Sequence, residues 1–130
     1  MSEADLFQEY YNSISLAYTA GQWWITVSTA LVVATYFAAR HIPHWLFGVI
    51  ILLYLMSATS SIIEGVWYAS MAGVYGARLR QVWMTNNIPP PIGNSVSGAI
   101  NTTANIGVFI LGTIAAISFS FVTWRHSRTA

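Results

Sequence analysis

Cysteine is absent from the 130 residues, which excludes disulfides, thiolate metal centres and thiol nucleophiles together. Lysine is absent as well. Five scattered arginines carry the fixed positive charge, and with a formal net charge of +1 they form no basic patch. Neither nucleic acid nor a dedicated anionic surface is therefore an expected partner. Charged residues make up 7% of the chain, against ~25% in ordinary soluble domains. Proline is confined to Pro43 and the triplet Pro89–Pro91, so long stretches carry no helix breaker. An acidic Met-Ser-Glu-Ala-Asp start with no early apolar run does not resemble a cleavable leader, and the chain is expected to be retained whole.

What fills the sequence instead is apolar, at 55% hydrophobic residues. From Trp45 to Tyr75, thirty-one residues contain one formally charged side chain, Glu64, and no proline. As a helix this run would cover ~46 Å, more than the ~30 Å hydrocarbon core of a bilayer. A second apolar segment, Trp23 to Ala39, is bounded by Gln22 and Arg40, and a third runs from about Ile106 to Trp124 before a basic end at Arg125, His126 and Arg128. The pattern predicts an all-α membrane protein with three transmembrane helices at 22–40, 44–66 and 104–124. The second is overlong and extends to about residue 83, and a Pro/Asn-rich loop with a polar helix start fills 84–103. His41-Ile42-Pro43 makes a tight hairpin between the first two helices. Trp23 and Trp24, at a span boundary, suit the headgroup level.

Depth is consistent across the spans. Arg40 lies eighteen residues from Gln22, His44 twenty from Glu64 and Arg125 twenty from Asn105, or ~27–30 Å in helical geometry. Each span thus joins a basic rim to a polar one. Arg40, Arg125 and Arg128 against Arg78 and Arg80 favour an outside N-terminus and a cytoplasmic C-terminus. Ahead of the first span, residues 1–21 read as an amphipathic helix capped by Ser2, with Leu6, Tyr10, Ile14 and Ala17 on one face. Gly21 either interrupts it or passes it into the span. Beyond Glu64, Gly65, Ala69 and Gly73, and separately Ala72 and Gly76, recur at four-residue spacing, a pattern that lets helix backbones approach closely.

Few residues offer chemistry. A carboxylate within a span is a functional candidate by default, but the depth argument puts Glu64 at a wet interface. Gln22, Asn101 and Asn105 fall at the same level, so these four are expected to form a polar cluster, either a hydrogen-bonded junction or the mouth of a solute path. Arg40, His41, His44, Arg125 and Arg128 form a rim suited to headgroup phosphates. The interrupted His-x-x-His pair lacks the helical spacing and the carboxylates of a metal or haem site, so no metal and no cofactor is expected. Ser57, Thr59, Ser60 and Ser61 are expected to bond back to helix carbonyls. No Gly-x-Ser-x-Gly turn or phosphate loop occurs, and no catalytic residue is assigned.

The run Gln22-Trp23-Trp24-Ile25-Thr26-Val27-Ser28, with Val32-Val33-Ala34-Thr35-Tyr36 and, after the hairpin, Leu52-Leu53-Tyr54-Leu55, resembles a group of short bacterial membrane proteins of unassigned activity. The resemblance covers about the first half of the chain and implies a helical bacterial membrane protein without transferring a site; the bacterial inner membrane is the expected location. The extension after Glu64 and the proline loop fall outside that pattern. The expected function is non-enzymatic: helix association with copies of itself or as an accessory subunit of a larger membrane complex, with membrane lipid and other membrane chains as partners. The alternatives are a small oligomeric channel or transporter using Glu64, and third a haem- or metal-binding redox subunit.

Overall fold

The computed structural model describes residues 1–88 and 95–129, with the backbone alone for 95–104. The described residues are all-helical: α1 (Glu3–Ala38), α2 (His44–Thr85) and α3 (Ser95–Thr129). At ~1.5 Å per residue these are rods of ~50–60 Å, each longer than a bilayer core is thick.

Local chemistry fixes the helix ends. The Ser2 hydroxyl accepts from the Asp5 N–H at 3.2 Å while the Asp5 carboxylate accepts from the Ser2 N–H at 3.0 Å. This reciprocal cap satisfies two groups that α1 would otherwise leave unpaired, and Glu3 and Asp5 suit the positive end of the helix dipole. At the other end the His41 N–H returns to the Ala38 carbonyl at 2.9 Å, and Pro43, extended at φ −66°, ψ 159°, starts α2. Just past the end of α2 at Thr85, Asn87 adopts the left-handed conformation at φ 56°. Asparagine tolerates that geometry, and it lets the N–H groups of Asn87 and Ile88 turn back to the carbonyls of Met84 and Trp83.

Of the two readings open at Gly21, the structure shows the continuous one: α1 runs unbroken from Glu3 through Gly21 to Ala38. A lone glycine weakens a helix by only about 1 kcal/mol, and here Phe109 of α3 packs beside the Gly21 backbone. α2 ends at Thr85, close to the expected end, and α3 begins at Ser95, inside the 84–103 stretch expected to hold the polar helix start. Pro89–Pro91 lie outside the described residues.

α1 and α2 form a long antiparallel hairpin. Leu6 of α1 packs with Leu79 and Trp83, Tyr10 lies on Gly76, Ala20 faces Gly65, and the hydroxyls of Ser28 and Tyr54 stand 2.9 Å apart. α3 lies against the hairpin half of this pair, where Ala116 joins Leu31, Tyr54 and Ala58 in one buried cluster. A second cluster, Leu6, Leu79 and Trp83, closes the far end of the α1–α2 pair. Stretches within His44–Thr85 and Asn105–Thr129 are long and apolar enough to cross a membrane. The corresponding part of α1 is more mixed, because Trp, Tyr, Thr and Ser interleave with its aliphatic residues.

Candidate functional site

Between the two buried clusters, α3 and the α1–α2 pair leave an open-sided cleft of about 330 Å³. Its walls include Gly21 and Gln22 of α1, Gly65 and Ala69 of α2, and Asn105 and Phe109 of α3. Two of the four residues expected to cluster, Gln22 and Asn105, thus meet at one cavity. Glu64 does not join them: it is exposed and is not part of the cleft wall, although its neighbour Gly65 is. The reason is helical phase, since adjacent residues on a helix point ~100° apart. Depth can be counted along the chain, but facing needs the packed partner. The side chain of Asn101 lies outside the described residues.

The small residues divide in the same way. Ala72 is buried, and a Cβ added at Gly76 would come within 3.1 Å of the Tyr10 ring, so this pair holds the α1–α2 contact tight. Gly65 lies where a Cβ would touch Ala20 at 3.9 Å, and Ala69 borders the cleft. Gly73 has nothing within 4 Å of its Cβ position and faces outward. The expected ridge of Gly65, Ala69 and Gly73 is therefore not one contact surface.

At the basic rim, Arg40, His41 and Arg125 are exposed. His44 and Arg128 are exposed as well, and both meet Trp124. The His44 ring stands edge-on to the indole at 4.8 Å, Phe47 stacks parallel to it at 4.6 Å, and the Arg128 guanidinium lies 5.3 Å from the ring centre. Both Trp124 Nε1 and Arg128 donate to the carbonyl of Ile42, which the hairpin leaves without a helical partner. Arg128 is accordingly a fastener as well as a rim charge. Among the described residues, no three His, Asp or Glu side chains gather as a metal site would require.

A further set of contacts was not read from the sequence. Trp24, expected at the headgroup level with Trp23, turns inward: its indole N–H donates to the Thr113 hydroxyl at 3.0 Å and its ring meets Phe109 edge-on at 4.7 Å. Gly112 makes this close approach feasible, since a Cβ there would fall 2.5 Å from the Trp24 ring. The available signal was the placement of Phe109, Gly112 and Thr113 three and four residues apart on one helix face. Back-bonding hydroxyls are found at Thr19, Thr26, Thr35, Ser70 and Thr85 rather than in the 57–61 stretch. In α3, the Ser120 hydroxyl is buried without a partner among the described residues.

Outside the membrane-length segments, hydrogen bonding by Ser2, first through its side chain and then through its backbone, holds the Asp5 carboxyl below its ordinary value of 3.8. This belongs to the helix cap, not to the cleft.

No family model matches the chain, and neither a curated protein nor a solved structure matches it.

Proposed function

We propose that the chain is a non-enzymatic integral membrane protein with three spans, acting by helix association with copies of itself or with other membrane chains. The observation that carries the membrane reading is the placement of exposed tryptophan and tyrosine. Tyr18, Trp23 and Trp67 lie on the surface toward one end of the apolar stretches, and Tyr36 and Trp45 toward the other. Trp45 and Trp67 are twenty-two residues apart on α2, and Tyr18 and Tyr36 eighteen apart on α1, separations of ~27–33 Å. Two interfacial aromatic belts would have this spacing. Between them the exposed surface is largely aliphatic, with Ile25 and Val33 on α1, Leu52, Leu53 and Ile63 on α2, and Ile110 and Ile114 on α3.

In that frame residues 3–17 and 68–85 extend beyond the bilayer on one side, and Phe7, Tyr11 and Leu16 remain exposed there. Apolar side chains on a water-facing projection suit a protein partner. This supports association over a solitary role. An outside N-terminus is the favoured orientation, resting on the arginine asymmetry, and the bacterial inner membrane is the favoured location, resting on the resemblance of the first half of the chain.

Glu64 tests the reading against a channel. It is exposed at the level of the Trp67 belt, and no partner for its carboxylate is seen among the described residues. Glu64→Gln should leave membrane insertion and recovered complexes intact, with a stability change below ~1 kcal/mol. Gentle extraction followed by identification of co-purifying chains, alongside ion flux in liposomes, decides the matter. Normal assembly with flux present in wild type and abolished in the glutamine variant would replace association by conduction.

A further inference from the structure

The cleft between the helices has the make-up of a small-molecule site. Its volume of about 330 Å³ lies at the lower end of the ~300–1,000 Å³ range of ligand pockets. Its described walls are apolar apart from the Tyr18 phenol and the amides of Gln22 and Asn105, and none of them carries a charge. Neither side-chain amide has a hydrogen-bond partner among the described residues, so both are available to a guest. One wall is also preset. Phe109 is held by the Trp24 ring, which is itself fixed by Thr113 and seated on Gly112. A site whose wall is ordered before binding loses less entropy when it fills.

We infer that this cleft binds a neutral amphiphile, with hydrocarbon against Ile25, Ala69 and Phe109 and a carbonyl-bearing head accepting hydrogen bonds from the Gln22 and Asn105 amides. A charged head would enter a wall that offers it no counter-charge, whereas ester or ring carbonyls match neutral N–H donors in strength and geometry. The inference rests on the membrane reading above, because the cleft straddles the level of Tyr18 and Trp67, from Ala17 and Ala69 on the outer side to Ile25 and Ile62 on the inner, where the heads of such molecules reside. Ester lipids and quinones share this chemistry. The test separates them.

Purified full-length chain in phosphatidylcholine nanodiscs is titrated with dioctanoylglycerol, with a decyl benzoquinone and with dioctanoyl phosphatidate. At least one neutral probe should bind saturably, one per chain, and the preferred one identifies the source; phosphatidate should bind at least ~10-fold more weakly. The double variant Gln22→Leu/Asn105→Leu should weaken the preferred probe roughly 10-fold by removing two hydrogen bonds. Ala69→Phe, which fills the cavity and leaves the amides in place, should abolish binding, and circular dichroism verifies that each variant is folded. Lack of saturation by either neutral probe, phosphatidate binding as tightly as they do, or wild-type binding by a folded Ala69→Phe chain would overturn the inference. Alkaline extraction of native membranes reads the membrane assignment separately: a chain released by it would sink that assignment, whatever the binding data show.

Discussion

The two ends of the helical hairpin are each fastened by a tryptophan, but by different means. At the far end Trp83 is buried with Leu6 and Leu79, the latter fully inaccessible, and its indole N–H reaches the Glu3 carboxylate at 2.8 Å. Two helices meet there, and an apolar core is topped by a hydrogen bond to a charged acceptor. At the hairpin end Trp124 is only partly buried, and its N–H goes at 3.2 Å to a backbone carbonyl that the turn leaves unpaired. Three elements meet at that end, and stacking with Phe47, the edge of His44 and the cation of Arg128 supplement a single indole. The difference shows how one residue type serves two settings. In the proposed membrane frame the far end is bordered by water, where burial of apolar area drives the contact. Against lipid, where apolar side chains gain little by meeting one another, close packing and satisfied polar groups must hold the helices.

The sharpest way to break the comparison is Trp83→Ala, expected to destabilise the far end by about 3–5 kcal/mol. Amide exchange should accelerate in 3–20 and 66–85 while residues 28–58 keep their protection; a uniform increase would mean that the two ends are not separable. Next in size is Gly112→Ala. The new methyl must displace the Trp24 ring, at about 1–3 kcal/mol, and should weaken α1–α3 without loosening the Trp83 end. Crosslinking between positions 21 and 109 would fall if so, and unchanged yield would show that the ring moves aside freely.

Trp124→Phe sharpens the hairpin end. It preserves a ring for Phe47 to stack on but removes the donor to Ile42, so a loss of about 0.5–1.5 kcal/mol in thermal unfolding is expected. A loss as large as that of Trp83→Ala would mean the hydrogen bond, not the stack, dominates. The smallest effect concerns the α1 cap. Because Asp5 titrates below its ordinary value in the folded chain, its stabilisation is complete above pH 3.8 and fades as the pH falls through the lowered value. An NMR titration should find Asp5 below an unstructured aspartate, and in Asp5→Asn amide protection over residues 3–6 should no longer fall over that acidic range. An unshifted titration would remove the cap argument.

Sequence alone determined that the chain is helical, where its helices turn and which levels along them are polar, aromatic or aliphatic. These follow from composition, from breakers and caps, and from rise per residue, all of which are local or one-dimensional. Gln22, Glu64 and Asn105 could be set at one depth by counting, and Asn86-Asn87 before Pro89 marked the end of α2. Tertiary structure decided which of these residues face one another. Gln22 and Asn105 share a cleft and Glu64 does not; Gly76 is a contact and Gly73 is surface; Trp24 is a fastener and Trp23 is exposed. Each pair is alike in type and close in depth. What separates them is rotation about the helix axis, and no stripe in these nearly uniformly apolar helices announces that rotation in advance, because the partner helix sets it when side chains such as the Trp24 ring find the one gap, over Gly112, that admits them.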